Sequence, residues 1–331
     1  MATRVAINGL GRIGRAALKT ILETPELELV AANDLIPADG LAYLLNYDTV
    51  YGRYEKKVKT TDKGLDVGGQ EILLFSEKDP ASLPWKENDV ELVFECTGIF
   101  REKEGLQKHL DAGAKKVILS APAKSDDIPS VVHGVNEAPA DAKIISCASC
   151  TTNCITPVSE VMDRHLGVKK ALLTTIHAYT SSQDIVDTYQ KKARRGRAAA
   201  ANLVPTTTGA AKATTKVLTG LQGKFDGVAV RCPVPSGSIS DIVYLVEKQT
   251  SVEEVNQIFR EESQSDKYKG VLGVTEDPIV SSDIIRDPHG SLVDLGMTQV
   301  VDGDMVKVMA WYDNEWGYTK QMIREAIRVC G

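Results

Sequence analysis

The stretch RVAINGLGRIGRAALKTILET, residues 4–24, contains the local pattern that decides the fold of the N-terminal half. Its apolar, β-branched start, RVAI, predicts a buried strand. Gly9, Gly11 and Gly14 follow in the G-x-G-x-x-G spacing, and apolar residues then recur at helical intervals. Such glycines permit a tight turn and a close backbone approach to a pyrophosphate, which the helix N-terminus attracts. The stretch therefore predicts a strand–turn–helix unit that binds a dinucleotide.

An acidic residue stands where such a unit needs one. The second apolar run, LELVAA, ends at Asn33 and Asp34, and Asp34 lies 20 residues beyond Gly14. At this distance a carboxylate can accept hydrogen bonds from the adenosine ribose hydroxyls. The glycine pattern alone would also suit an ordinary turn, but the strand, the helix and the acid together favour a dinucleotide.

Further apolar runs continue the strand–helix alternation. Residues 90–98 and 114–123, and the run KIISCAS from Lys143, each predict a buried strand. The alternation predicts an α/β domain with a Rossmann-type doubly wound parallel sheet, whose ligands lie at the carboxyl ends of the strands. Candidate cofactor neighbours at these ends, unless they are ordinary turn residues, are Thr97, Gly98 and Ser120.

Length and composition restrict the class of protein. The 331 residues predict two domains, at roughly 150 residues each. The net charge of −6 argues against a protein that coats nucleic acid or acidic membranes. No run approaches the roughly 18–20 apolar residues of a membrane span, and the N-terminus lacks the features of a signal peptide. We therefore expect a cytoplasmic protein without a membrane segment.

Three cysteines, Cys147, Cys150 and Cys154, occur within eight positions of the stretch ISCASCTTNCITP, residues 145–157. A structural zinc site would need a second cluster, which the sequence lacks, so we predict no metal. A Cys150–Cys154 disulfide would join successive turns of one helix, which is a poor geometry. Buried structural thiols are the remaining alternative to a single reactive cysteine.

Cys150 is the best candidate for that reactive cysteine. Ser149 is a typical N-cap residue, so Cys150 should begin a helix whose dipole favours a thiolate. A neighbouring histidine could favour the thiolate further, and His177 stands at the end of the apolar strand ALLTTIHAYTSS. Because a histidine there is more often structural, the residues alone leave its role open.

Features of the second half suggest bound phosphate. The run YQKKARRGRAAA, residues 189–200, has five cations in seven positions. A solvated face or a nucleic-acid patch would also explain them, but the negative net charge and the lack of interleaved aromatic residues disfavour nucleic acid. PTTTGAAKA places threonines before Gly209 at a predicted helix start, and Arg231 lies within an apolar strand. We predict two phosphate subsites beside the thiol.

Five motifs along the whole chain carry a resemblance to a known family. INGLGRIGR, ASCTTNC, RRGRAAA, PTTTGAAKA and WYDNEWGY occur in this order, and the chain resembles phosphorylating glyceraldehyde-3-phosphate dehydrogenases. The resemblance implies a dinucleotide-binding domain over 1–149 and an α+β catalytic domain with a mixed or antiparallel sheet over 150–314. Residues 315–331 would form a helix that packs back on the first domain.

The resemblance also implies a reaction of glycolysis and gluconeogenesis. Glyceraldehyde 3-phosphate, inorganic phosphate and NAD give 1,3-bisphosphoglycerate and NADH. Cys150 attacks the aldehyde to form a thiohemiacetal, with His177 as the base. Hydride transfer then leaves a thioester, which phosphate cleaves. Members of the family are homotetramers, in which residues 180–205 of this chain would contribute to subunit contacts.

The same resemblance assigns residues to three binding sites. The site for the attacking phosphate comprises Ser149, Thr151, Arg195, Thr208 and Gly209. The substrate's own phosphate is held by Thr180 and Arg231. The dinucleotide is surrounded by Arg12, Ile13, Asp34, Lys78 and Ser120, and its nicotinamide carboxamide is held by Asn314.

Three departures from the family pattern bear on these expectations. Thr188-Tyr189 replaces a leucine–proline pair near the adenosine ribose, a change that goes with tolerance of NADP, whereas the charge of Asp34 would repel a 2′-phosphate. We expect NAD as the main cofactor and leave NADP open. Ser182 replaces an aspartate near the substrate phosphate, and Cys147 replaces an asparagine.

Two alternative functions were weighed. Erythrose-4-phosphate dehydrogenases share the thiol chemistry but finish with water, and they lose the TTTGAAKA stretch that this chain keeps. A nucleic-acid-binding or adhesive role is required by no feature of the sequence. The sequence therefore favours a phosphate-dependent dehydrogenase.

Overall fold

The computed structural model describes residues 2–331. Its strands are β1 (Thr3–Asn8), β2 (Leu27–Asn33), β3 (Tyr47–Asp48), β4 (Gly52–Arg53), β5 (Val58–Thr60), β6 (Gly64–Val67), β7 (Gln70–Phe75), β8 (Leu92–Glu95), β9 (Lys116–Leu119), β10 (Ile144–Ser146), β11 (Val168–Ala178), β12 (Val204–Thr207), β13 (Phe225–Cys232), β14 (Ser238–Val246), β15 (Leu272–Thr275), β16 (Ser291–Val301) and β17 (Met305–Tyr312). Its α-helices are α1 (Arg12–Ile21), α2 (Ala38–Asn46), α3 (Lys103–Asp111), α4 (Cys150–Leu166), α5 (Ala210–Val217), α6 (Val252–Gln264) and α7 (Trp316–Cys330). Short 3-10 helices cover Pro80–Ser82, Ala193–Gly196, Ala199–Ala201, Thr219–Leu221 and Ser281–Ile284.

The first sheet has the strand order β10-β9-β8-β1-β2-β7-β6-β5. From β10 to β7 every neighbouring pair is parallel, and β6 and β5 continue the edge in antiparallel fashion. The parallel strands form two halves on either side of the β1–β8 junction, so that junction is the topological switch point. This confirms the predicted Rossmann-type sheet.

Apolar burial explains why β1 lies at the centre of this sheet. Val5, Ala6 and Ile7 have no exposed surface, as expected for a parallel strand covered on both faces. Helix α1 packs against β1 and β2 and buries the side chains of Ala16, Ala17, Leu18 and Ile21. The glycine turn between β1 and α1 is thereby held at the carboxyl edge of the sheet.

The second large sheet has the order β12-β13-β11-β14-β17-β16-β15. Two pairs, β11–β13 and β15–β16, are parallel, and the other neighbours are antiparallel. The sheet is therefore mixed, which confirms the expectation for the catalytic domain. Helix α4 packs on this sheet and buries Ile155, Val158 and Met162 completely.

The described residues form two compact units. The first comprises the chain up to Val131, Glu137–Ala148 and Met322–Gly331, and the second comprises Val132–Asn136 and Ser149–Gln321. The C-terminal part of α7 thus belongs to the same unit as the first sheet. Across residues 2–331 we find no helix with the length and apolar content that a membrane crossing requires.

Candidate active site

The turn between β10 and α4 presents Cys150 at the first position of the helix. The Ser149 hydroxyl accepts a hydrogen bond from the Thr152 backbone N–H at 3.1 Å, which is the N-cap interaction expected from the sequence. Cys150 is partly exposed, whereas Cys147 and Cys154 are buried. All six cysteines are free thiols, and residues 2–331 contain no cluster of three or more ligating side chains suited to a metal ion.

His177 lies at the end of β11 and faces Cys150. The distance from its Nε2 atom to Cys150 Sγ is 3.4 Å. The ring is 4% exposed and meets the Tyr312 ring edge-on at 5.9 Å between centroids. The structure thus brings together a thiol and an imidazole separated by 27 residues in sequence.

The other ring nitrogen of His177 has two competing partners. Nδ1 lies 2.7 Å from the Ala178 carbonyl oxygen and 2.5 Å from Nη1 of Arg231, which itself donates to that oxygen at 2.8 Å. Donation from Nδ1 to the carbonyl leaves a lone pair on Nε2, facing the thiol. Donation from Arg231 to Nδ1 places the hydrogen on Nε2 instead. The position of the guanidinium therefore decides the tautomer.

The protonation of the pair differs from the expectation. Burial, together with the positive charge of Arg231, lowers the pKa of His177 to about 3. Burial also raises the pKa of Cys150, against the opposing charge of Arg231. Both shifts run against the sequence expectation that a neighbouring histidine favours the thiolate of Cys150, and they favour a neutral imidazole beside a thiol. The same effect raises the pKa of Cys154 to about 12, so that thiol is inert.

A cluster of buried hydroxyl groups lies next to Cys150 and His177. The Tyr312 hydroxyl lies 2.9 Å from Thr151 Oγ1 and 2.8 Å from Thr175 Oγ1. Because Thr151 is 5% exposed and already paired, its side chain is positioned by Tyr312. No local pattern in the sequence indicates Tyr312 or Thr175, because their contacts join residues that are distant in the chain.

The candidate phosphate residues gather around Arg195. Its Nε donates to Thr206 Oγ1 at 3.0 Å, and its Nη1 lies 3.4 Å from Ser182 Oγ. Ser182 in turn lies 2.8 Å from Thr180 Oγ1, so the serine that replaces an aspartate links the two candidate phosphate groups. Thr208 accepts from the Ala210 N–H at 3.1 Å, at the start of α5. The neighbouring Gly209 is the N-cap residue of that helix and has no side chain with which to cap the helix.

A hydrogen-bond chain joins the His177 strand to Asn314. The Ala178 backbone N–H donates to Ser238 Oγ at 3.1 Å, and Ser238 Oγ donates to Asn314 Oδ1 at 2.9 Å. Since Ser238 already accepts from Ala178, its hydrogen is directed to Asn314. This fixes the amide so that Nδ2 is the end that can donate to a carbonyl group.

The glycine turn of the first unit has the shape that a dinucleotide requires. Gly9 has φ +93°, and a Cβ there would lie 2.7 Å from the Thr97 nitrogen. A Cβ on Gly14 would lie 1.9 Å from the Gly9 carbonyl oxygen. A Cβ on Gly11 would meet no atom within 4 Å, and no side chain caps α1. The turn therefore leaves open space at the positive end of a helix dipole, which fits a bound pyrophosphate.

The other candidate cofactor residues lie in the same unit. The Asp34 carboxylate accepts from the backbone N–H groups of Leu10 at 2.6 Å and Ile36 at 2.9 Å. Arg12 is paired with Asp48 at 2.5 Å. Ile13 is partly exposed in the first turn of α1. Lys78 lies in an exposed bend, and Thr97, Gly98 and Ser120 lie in exposed or partly exposed turns just beyond β8 and β9.

Two family models match the chain. Residues 3–103 match the NAD binding domain of glyceraldehyde 3-phosphate dehydrogenase, and residues 149–314 match its C-terminal domain. The chain is 49% identical to glyceraldehyde-3-phosphate dehydrogenase 2 of Streptomyces avermitilis, over 98% of this chain and 97% of that protein. The chain belongs to the glyceraldehyde-3-phosphate dehydrogenase family.

Two further relatives agree with this membership. The glyceraldehyde-3-phosphate dehydrogenase of Geobacillus stearothermophilus is 47% identical over 98% of this chain and 97% of its own length. That of Zymomonas mobilis is 44% identical over 99% of both chains. As in the rest of this family, the first domain is the NAD binding domain, and the protein is an NAD-dependent oxidoreductase.

Proposed function

We propose that this chain oxidises glyceraldehyde 3-phosphate to 1,3-bisphosphoglycerate, with NAD as hydride acceptor and inorganic phosphate as co-substrate. The observation that carries the proposal is the 3.4 Å contact between Cys150 Sγ and His177 Nε2, at a helix N-terminus, in a member of this family. A thiol paired with a neutral base is the arrangement that covalent catalysis on an aldehyde requires.

The first step is addition of the thiol to the aldehyde. As the bond from Cys150 Sγ to the carbonyl carbon forms, the thiol proton passes to a neutral His177, which returns it to the former carbonyl oxygen, and the product is a neutral thiohemiacetal. The imidazole of His177 is neutral at pH 7, and withdrawal of the Arg231 charge from the ring would raise its pKa towards the range of an effective base. The helix dipole of α4 stabilises negative charge that develops at its first residue.

The second step converts the thiohemiacetal into a thioester. His177 takes the hydroxyl proton as the carbon is oxidised, and bound NAD would supply the acceptor for the hydride that the carbon loses. Asn314 Nδ2 would donate to the nicotinamide carboxamide, because Ser238 fixes its Oδ1. Residues of the glycine turn, with Arg12, Ile13 and Asp34, would hold the rest of the dinucleotide. The carboxylate of Asp34 favours NAD over NADP.

Inorganic phosphate completes the reaction. A phosphate oxygen attacks the thioester carbonyl carbon, and Cys150 leaves as the thiolate. Arg195 and the α5 N-terminus, with Ser149, Thr151, Thr208 and Gly209, would hold this phosphate. The chain retains the TTTGAAKA stretch at this position, which supports phosphate rather than water as the nucleophile.

Arg231 would link substrate binding to base catalysis. Its Nη1 competes for His177 Nδ1 at 2.5 Å, and its buried Nε has no partner among the described residues. The substrate's phosphate, held by Arg231 and Thr180, would draw the guanidinium from the ring. Nδ1 would then donate to Ala178 O, and Nε2 would keep the lone pair that the base role needs.

Homotetrameric assembly and a cytoplasmic location belong to the same proposal. Four large apolar side chains between residues 185 and 203 are at least 69% exposed in the isolated chain, which supports subunit contacts there. They are Ile185, Val186, Tyr189 and Leu203.

The nucleophile assignment is tested by a pair of cysteine variants. We expect Cys150→Ser to abolish NADH formation while the Kd for NAD stays within about twofold, because the turn that binds the dinucleotide is unchanged. Cys154→Ser, the matched control at the buried thiol, should keep most activity. Retained turnover in Cys150→Ser would disprove the assignment.

A further inference from the structure

A row of buried polar side chains crosses the carboxyl edge of the first sheet. Three neighbouring parallel strands end in Asn33, Asn8 and Glu95, which are paired in register. Asn33 Nδ2 donates to Asn8 Oδ1 at 2.8 Å, and Asn8 Nδ2 donates to Glu95 Oε2 at 2.6 Å. All three are at most 4% exposed. No role in the chemistry above uses Asn33, Asn8 or Glu95.

The row continues on the far side of Glu95. His109 Nε2 lies 3.0 Å from Glu95 Oε2, and Trp85 Nε1 lies 3.0 Å from His109 Nδ1. An indole N–H can only donate, so Nδ1 carries a lone pair and Nε2 carries the hydrogen. His109 is therefore neutral, and its contact with Glu95 is a hydrogen bond rather than an ion pair.

Glu95 is consequently a buried carboxylate that is stabilised by donors alone. Its four donors are Asn8 Nδ2, His109 Nε2, and the backbone N–H and hydroxyl of Thr97. Among residues 2–331, no lysine or arginine forms a salt bridge with it. Its two carboxyl oxygens thus serve as acceptors in a site with no exposed surface.

Two residues, Asn8 and Thr97, supply three of these donors and lead directly to the loops at the dinucleotide edge. Asn8 precedes Gly9, and Thr97 packs so closely on Gly9 that a Cβ there would lie 2.7 Å from the Thr97 nitrogen. The Thr97 hydroxyl also accepts from the Ile99 N–H at 3.1 Å, which orders the turn through Gly98. Glu95 thus fixes the Asn8–Gly9 and Thr97–Ile99 segments relative to each other.

We propose that Glu95 is a positioning residue for the dinucleotide, acting through Asn8 and Thr97 on the two loops that hold it. The inference deepens the proposed function and rests on its use of NAD. It assigns to a buried charge the task of keeping the glycine turn in the conformation that accepts a pyrophosphate.

Glu95→Gln is the direct test. It keeps the size of the side chain, but it replaces one carboxyl oxygen, an acceptor, by an amide NH₂ group, which would face the donors that now surround Glu95. We expect the Kd values for NAD and NADH, measured by calorimetric titration, to rise together by about tenfold, the effect of one unpaired buried group. The alkylation rate of Cys150 without cofactor should stay unchanged. A rise confined to NAD would overturn positioning in favour of a direct charge effect on the nicotinamide.

Trp85→Phe is the matched control for lost stability. It removes the donor at the far end of the row but leaves all four donors of Glu95, so we expect a lower melting temperature with NAD affinity within about threefold. If Trp85→Phe weakened NAD as much as Glu95→Gln at an equal loss of melting temperature, the role would be structural only, and the inference would fail.

A second variant tests the same proposal if Glu95→Gln does not fold. Thr97→Val removes one of the donors with little change of shape and should raise both Kd values by about threefold. Unchanged affinity in either folded variant would refute the positioning role. Failure of the unsubstituted protein to bind NAD would instead refute the proposed function.

Discussion

At the scale of single residues, the account depends on how Cys150 and His177 share a proton. The sequence indicated each residue and its place at an element end, but it could not indicate protonation. That property follows from burial and from Arg231, which is 54 residues from His177 in sequence and beside it in space. A local sequence pattern can indicate the cysteine and the histidine. It cannot indicate the charge of Arg231 beside them, because that residue comes from a strand that is adjacent only in the folded protein.

The pH dependence of thiol alkylation follows from these pKa directions. Since the pKa of Cys150 is raised and His177 stays neutral above about pH 3, the thiolate fraction rises only as the pH passes the usual range of a cysteine. The rate of alkylation by iodoacetamide should therefore climb steadily between about pH 6 and about pH 9, without a plateau at the acidic end of this range.

His177→Asn tests the contact itself. Loss of the hydrogen bond between Nε2 and Cys150 Sγ should slow alkylation at neutral pH by about tenfold, the scale of one hydrogen bond. His165→Asn, at a partly exposed histidine paired with Glu262, is the control and should alkylate at the normal rate. Equal rates in the protein with and without the His177 substitution would contradict the pairing.

At the scale of elements, the geometry of the glycine turn distinguishes the roles of its glycines, which the G-x-G-x-x-G motif alone does not. Gly11→Ala should fold with a melting temperature lowered by only about 2–4 °C, because no atom lies near the added methyl group and the main cost is that alanine is a poorer N-cap than glycine. The same methyl group would occupy the space for the pyrophosphate, so the Kd for NAD should rise at least tenfold (about 1.4 kcal/mol).

Gly14→Ala is the contrasting variant in the same turn. Its methyl group would meet the Gly9 carbonyl oxygen, so we expect loss of folded protein rather than selective loss of NAD binding. Thermal unfolding and fluorescence titration with NAD separate the two effects. Normal NAD affinity in Gly11→Ala would mean that the cofactor does not approach this turn.

The elements also show where sequence patterns reach their limit. The strand before the glycine turn and the helix after Ser149 follow from local periodicity and capping. That helix nevertheless continues through Pro157 to Leu166, because its burial on the second sheet outweighs one missing hydrogen bond. Ala148, with φ +53°, turns the chain into the helix, and no local pattern predicts a left-handed alanine there.

At the scale of the whole molecule, the exposed apolar surface predicts association. On the second sheet, Leu172 of β11 and Val228 of β13 are 67% and 54% exposed on the same face. The double variant Leu172→Glu/Val228→Glu should therefore lose the tetramer, since charges would be buried at a subunit contact. Sedimentation velocity gives the oligomeric mass directly.

Lys169→Glu, at an exposed position of the same strand, is the control and should leave the assembly unchanged. A monomeric parent protein, or a double variant of unaltered mass, would contradict the proposed tetramer.

The fold class of both units was predictable from the sequence, because strand–helix alternation and whole-chain motifs reflect topology. The order of strands in the second sheet was not, because its neighbours are distant in the chain.

The proposed thioester on Cys150 should persist until inorganic phosphate attacks it, and a rapid-mixing measurement distinguishes this from hydrolysis. NADH formation from glyceraldehyde 3-phosphate and NAD is followed by absorbance, with and without phosphate. The account predicts a burst of about one NADH per subunit without phosphate and sustained turnover with it. Sustained turnover at the same rate without phosphate would contradict the account, because water would then complete the reaction.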